Sequence, residues 1–251
     1  MKILAIDIET APNTAHVWGL FKQNIGINQI QETGRVMCFA AKWLGDKKIH
    51  FWSEHYDDHE SVIMMAHQYL DEADAVLSFN GQSFDMPILN REFLKYGLTP
   101  PSPYRHIDLL QVAKRRFRFV SNKMDHLATE LGLERKLEHK GHELWTECMA
   151  GDEKAWKTMM KYNKQDVVVL AQLYEKMIPW IDTHPNMALY MDTPEDPVCT
   201  NCGSEDMYSR GLQHNKAHSY IRFQCNECGT WMRGRYTVTK KNPNVLTQIG
   251  G

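Results

Sequence analysis

No run of eighteen apolar residues occurs in the 251-residue sequence, so nothing in it reads as a membrane-crossing helix. An excess of one charge is missing too; the formal net charge of −2 advertises no polyanion partner. The opening MKILAIDIET holds one lysine and ends in acids, unlike a secretory leader, so a cytoplasmic location is expected. Internal repeats are absent. Cysteine is sparse over most of the chain: Cys38 and Cys148 stand alone, and the other four form two C-x-x-C pairs in the last fifth. Without a leader a disulfide framework is not expected, and paired C-x-x-C reads as a metal site.

What remains is an ordinary globular composition, 43% hydrophobic and 24% charged, with length enough for one or two domains. The charge is unevenly placed, with seven Lys+Arg against three Asp+Glu from Val198 onward and 22 against 28 before it. KILAIDI (2–8) is apolar on both alternating faces, as in a central strand covered on both sides. RVMCFAAKW and KIHFW follow as two more strands of a meander, then a helix over 58–73 and a strand over 74–79. The turn signal Asn80-Gly81 stops that strand. Further helices fit about 86–96, 109–117, 123–132 and 152–178, with a short strand at 105–108. This order predicts a mixed α/β sheet flanked by helices. Three prolines between Asp182 and Pro197 mark a linker. The expected organisation is a domain over 1–181, a linker over 182–197, a small β-rich module over 198–238 and a flexible tail over 239–251.

Four acids carry the chemistry. Asp7 and Glu9, two apart on the first strand, project from one face at its carboxyl end, where open α/β sheets place their sites. Read alone, the pair fits a solvated strand end equally well. Asp85 alone is best read as a helix N-cap. Asp166 differs, because Met159, Tyr162, Asp166, Val169, Leu173 and Met177 form the apolar stripe of the last helix. A carboxylate there must be paired, protonated or metal-bound. No basic residue lies one turn away on that stripe, which favours a metal. Clustered carboxylates raise one another's pKa, and oxygen-only ligands suit Mg²⁺ or Mn²⁺. Two such ions about 4 Å apart are the usual machinery for attack on a phosphodiester. Tyr162, one turn before Asp166, is placed to orient a water.

DIE (Asp7–Glu9), NGQSFD (Asn80–Asp85) and YNKQD (Tyr162–Asp166) resemble, in order, the three motifs of the DEDD 3′→5′ exonucleases, over about 180 residues. The tyrosine four before the last aspartate resembles the DEDDy subgroup. The resemblance implies a ribonuclease H-like fold and two Mg²⁺ (or Mn²⁺) held by Asp7, Glu9, Asp85 and Asp166, with Tyr162 positioning the nucleophilic water. It also implies substrate contacts at Thr10, Asn80 and Phe84. The likeness is strongest to the proofreading domain of family B polymerases and its free-standing bacterial and phage relatives. Length leaves no room for a polymerase, so the expectation is a stand-alone nuclease acting on DNA single strands or frayed ends. RNA as substrate and a non-catalytic nucleic-acid-binding adaptor are the rival readings.

Cys199-x2-Cys202 and Cys225-x2-Cys228 have the spacing of a closed tetrahedral site, so one structural Zn²⁺ in a zinc ribbon is expected. Gly203 and Gly229 follow the knuckles and allow the turns. Arg210, Lys216, Arg222, Arg233 and Arg235 alternate with Tyr220, Phe223, Trp231 and Tyr236, which suits nucleic acid. Ribbon packing, and docking onto a replication or recombination protein, read the same residues differently. KRRFRF (Lys114–Phe119) lines a substrate groove or forms an exposed helix face.

Overall fold

The computed structural model describes residues 1–138, 140–192, 196–240 and 242–247. Two compact units divide the chain, Lys2–Tyr174 and Glu175–Gly251. Parts of the expected linker (193–195) and of the expected tail (Lys241 and 248–251) lie outside the described residues.

In the first unit, β1 (Ile3–Thr10) leads into a short hairpin of β2 (Thr14–Ala15) and β3 (Ile30–Glu32), then β4 (Val36–Trp43) and β5 (His50–Ser53). Helix α1 (His59–Asp71), β6 (Ala75–Ser78), α2 (Asp85–Lys95), β7 (Arg105–Asp108), α3 (Leu109–Arg116), α4 (Met124–Glu130), α5 (His142–Met149) and all but the last three residues of α6 (Glu153–Met177) complete it. Five strands form one sheet in the order β5-β4-β1-β6-β7. β1 pairs antiparallel with β4 and parallel with β6, so the meander and the alternating strand–helix half meet on it.

Both faces of β1 are covered, which explains its unbroken apolar start. Leu4, Ile6 and Ile8 pack with Phe39, Ile63, Leu70 and Leu89 beneath α1 and α2. On the opposite face Met37, Cys38, Leu144, Trp156, Met159 and Tyr162 form the second layer under α5 and α6. Alternation along the strand therefore turns Asp7 and Glu9 toward the α6 side. Trp156 is anchored there by its indole N–H on the Cys148 carbonyl (2.8 Å).

In the second unit, β8 (Met207–His214), β9 (Ser219–Cys225) and β10 (Trp231–Arg233) form an antiparallel sheet in the order β10-β9-β8. The stretch expected as linker contains a 3₁₀ turn at Met187–Tyr190, and the Met187 N–H bonds the Thr200 carbonyl (2.7 Å). Asn201 donates to the carbonyls of Ile178 (2.9 Å) and Ile181 (3.2 Å), so the first knuckle is tied to the residues just after α6.

Candidate active site

Asp7 and Glu9 on β1 and Asp166 on α6 converge, with one carboxylate oxygen of each lying within 4.8 Å of the others. Asp166 is buried on the helix face that also buries Met159, Tyr162, Val169, Leu173 and Met177. Asp85 is the first residue of α2, and the cap position itself is Phe84. The Asp85 carboxylate turns to β1 instead, accepting the Ile8 N–H at 3.2 Å, between the positions of Asp7 and Glu9.

Such crowding has an electrostatic consequence. The Asp7 carboxyl is held well above the usual range, by burial first and then by Glu9, Asp85 and Asp166. Burial and Asp166 push Glu9 up to about 8, and burial lifts Asp85 to about 6. Asp7 and Glu9 keep part of their surface in solvent, which moderates the repulsion without removing it. Burial, then Asp166, Glu9 and Asp7, keep the Tyr162 hydroxyl protonated far above the ordinary tyrosine range, and it hydrogen-bonds Asp166. A neutral hydroxyl facing the acids can both donate and accept.

Two further residues complete the cluster, and sequence reasoning missed both. Asn163 is fully buried and donates through Nδ2 to Asp7 Oδ2 (2.7 Å) and to the Asp7 carbonyl (3.2 Å), fixing that carboxylate. It lies one turn before Asp166 on the same buried face, so a second polar residue on an apolar stripe was its signal. Lys136 arrives from the segment after α4, with Nζ 2.5 Å from Asp166 Oδ2 and 5.4 Å from the Tyr162 ring centroid. Asp166 thus has a salt-bridge partner, thirty residues away in sequence. The segment has no periodicity that could have announced it. The ammonium also offsets part of the charge on Asp7 and Glu9, and an acid-rich oxygen set of this kind fits a hard divalent ion.

The turn before α2 is built as firmly. Asn80 adopts the left-handed conformation (φ 69°), which asparagine tolerates. Asp108, at the end of β7, accepts the N–H groups of Asn80 (2.9 Å), Gln82 (3.3 Å) and Leu110 (3.0 Å), so one carboxylate holds the turn and caps α3. Ser78 hydrogen-bonds His106 (2.7 Å) and accepts the Gly81 N–H (3.2 Å). Of the expected substrate contacts, Phe84 is 45% exposed, Asn80 lines a cleft and Thr10 sits at a bulge beyond Glu9. That cleft, about 620 Å³, opens from Asp7 and is lined by Asn80, Lys114, Asn122, Lys123 and Lys136. Three lysines against Asp7 and Asp125 in its lining suit a bound phosphate. Of the KRRFRF cluster, Lys114 is the residue that reaches it.

In the second unit, the sulfurs of Cys199, Cys202, Cys225 and Cys228 lie within 4.8 Å of one another. The Cys199–Cys228 and Cys202–Cys225 separations are 3.5 and 3.6 Å, too long for disulfides. They are near the roughly 3.8 Å between ligands of a tetrahedral Zn–thiolate centre. Gly203 and Gly229 both take φ 77°, as the knuckle turns require.

Residues 26–178 match the family profile of the RNase H superfamily. The chain belongs to that superfamily. The matched span takes in the turn before α2 and all of α6 but starts after Asp7 and Glu9. Among solved structures, the family B DNA polymerase from the hyperthermophilic archaeon Pyrobaculum calidifontis superposes with a TM-score of 0.52 at 19% identity. The likeness covers 71% of this chain and 24% of the polymerase, and it shows the shared RNase H-like fold. No curated protein matches the chain.

Proposed function

We propose that this RNase H superfamily member is a two-metal-ion 3′→5′ exonuclease, which removes nucleoside monophosphates from the 3′ end of single-stranded or frayed DNA. The observation that carries the reading is the convergence of Asp7, Glu9 and Asp166, joined through Ile8 by Asp85, with the Tyr162 hydroxyl bonded to Asp166. Superfamily membership supports nuclease chemistry in general. The four carboxylates would hold two Mg²⁺ or Mn²⁺ ions, which when bound generate hydroxide from water and steady the leaving oxygen.

The chain's own residues do the rest. Tyr162, kept neutral, orients the water that attacks phosphorus, and the P–O bond to the penultimate 3′ oxygen breaks. Asn163 holds Asp7 in its ligating orientation. The lysines of the cleft draw in the terminal phosphodiester, while Thr10, Asn80 and Phe84 meet the terminal nucleotide. Mass analysis of products from a dT12 oligonucleotide with Mg²⁺ tests this; thymidine 5′-monophosphate is expected, and none from Asp7→Ala. Products ending in oligonucleotides alone would point to an endonuclease.

The four cysteines hold one structural Zn²⁺ and make the second unit a zinc ribbon. Its sheet stacks arginines on rings: Arg210 and Arg222 lie 5.4 and 4.9 Å from the Trp231 centroid, and Arg233 lies 3.9 Å from that of Tyr220. Rings covered by guanidinium groups are not free to stack on bases, so this face would grip phosphates through its N–H groups. Arg222→Ala should then lower the salt slope of single-strand binding by about one unit; an unchanged slope would favour docking of a protein instead.

A further inference from the structure

Residues 16–29, between β2 and β3, form an arm that the site described above does not use. Its tip displays apolar side chains to solvent: Trp18 is 99% exposed, Leu20 87%, Phe21 85% and Ile27 88%. An apolar surface of this kind on one stretch marks an interaction site. The tip is held outward by its neck. Gln29 accepts the Gly26 N–H (2.8 Å) and donates to the His16 carbonyl (2.9 Å), and the His16 N–H bonds the Gln29 carbonyl (3.0 Å).

The neck continues the strand that carries the carboxylates. Beyond Glu9 the two segments stay paired through Ala11 N–H to Arg35 O (2.9 Å) and Gly34 N–H to Asn13 Oδ1 (2.7 Å), and then through the Thr14–Glu32 and Ala15–Ile30 pairs of the separate β2–β3 sheet. The arm therefore leaves from the same end of the sheet that holds the acids. At no more than about 3.3 Å per residue, its base lies within roughly 20 Å of Glu9, the length of about six stacked nucleotides.

Composition selects the occupant. In a unit with surplus acid, no Asp or Glu occurs between Glu9 and Glu32, while Lys22, His16 and several amides do. A phosphodiester strand can approach this stretch without repulsion, and indole and phenyl faces stack on any base. We propose that the arm binds the single-stranded nucleic acid leading to the 3′ end in the site, with Trp18 and Phe21 as its stacking platform. The proposal rests on the nuclease reading for the direction of the strand.

The test is anisotropy of fluorescein-labelled dT12 and dT3 on the full chain with Ca²⁺ replacing Mg²⁺, comparing wild type with Trp18→Ala/Phe21→Ala. The variant's melting temperature checks that it folds, and Leu94→Ala, an exposed apolar residue on α2 (78%), serves as control. The double variant should weaken dT12 binding about tenfold or more, shrink the preference for dT12 over dT3, and recover in Trp18→Phe/Phe21→Tyr. Unchanged dT12 affinity overturns the proposal, and unchanged affinity with a dimer-to-monomer shift in sedimentation assigns the arm to a second copy. Wild-type protein that binds dT12 through the arm yet never cuts it with Mg²⁺ would sink the nuclease reading alone.

Discussion

Asp166 and Tyr162 are held by neighbours with opposite demands. Lys136 pairs with Asp166, while burial and then the surrounding acids keep the Tyr162 hydroxyl protonated. If the ammonium competes with a divalent ion for Asp166, Lys136→Ala should increase the rise in melting temperature that Mg²⁺ produces. A smaller rise than in wild type would mean that the lysine assists ion binding instead. Tyr162→Phe removes only the hydroxyl. Turnover should fall about 100-fold, in line with loss of a positioned proton-transfer or orienting group, while the Mg²⁺-dependent thermal shift persists. Unaltered turnover would remove Tyr162 from the mechanism.

The turn from β6 to α2 shows how an element sets a site. A Cβ added at Gly81 would lie 2.5 Å from Ser78 Cβ and Oγ and 3.3 Å from Asp85 Oδ2. Ser78 is fully buried and bonded to His106, so it cannot give way cheaply. Gly81→Ala should therefore cost about 1–3 kcal/mol in urea unfolding and depress activity through Asp85; a variant as stable and active as wild type would show that the turn is soft. Sequence alone located this turn, because Asn80-Gly81 is a local signal, and it located β1 and α6, whose periodicities are long. It misassigned the Asp85 carboxylate when read alone as a cap, since the Ile8 N–H that claims it is 77 positions away. Helix α5 and the β2–β3 hairpin were not foreseen; the hairpin pairs strands of only two and three residues. Lys136 and Asp108 act across the fold, and no spacing rule reports such contacts.

For the whole molecule, the raised carboxyls link stability to pH and to metal. Glu9 at about 8, with Asp7 and Asp85 also raised, keeps protons in the folded state that an unfolded chain has released above roughly pH 4.5. The folded state thus binds more protons between about pH 4.5 and 8, and metal-free stability falls as pH rises through that window. Divalent ions bind the deprotonated acids, so their stabilising effect grows in the same direction. Melting temperatures with EDTA should drop from pH 5.5 to 8, and the increment from Mg²⁺ should widen. A flat EDTA profile with a constant increment would show that the acids are not coupled as described. The most direct measurement of the central claim is a time course on 5′-labelled single-stranded DNA with Mg²⁺, resolved to single nucleotides. A ladder descending one nucleotide at a time, abolished in Asp7→Ala and Asp166→Ala, is the predicted result; an intact strand, or cleavage that survives both substitutions, would contradict the account.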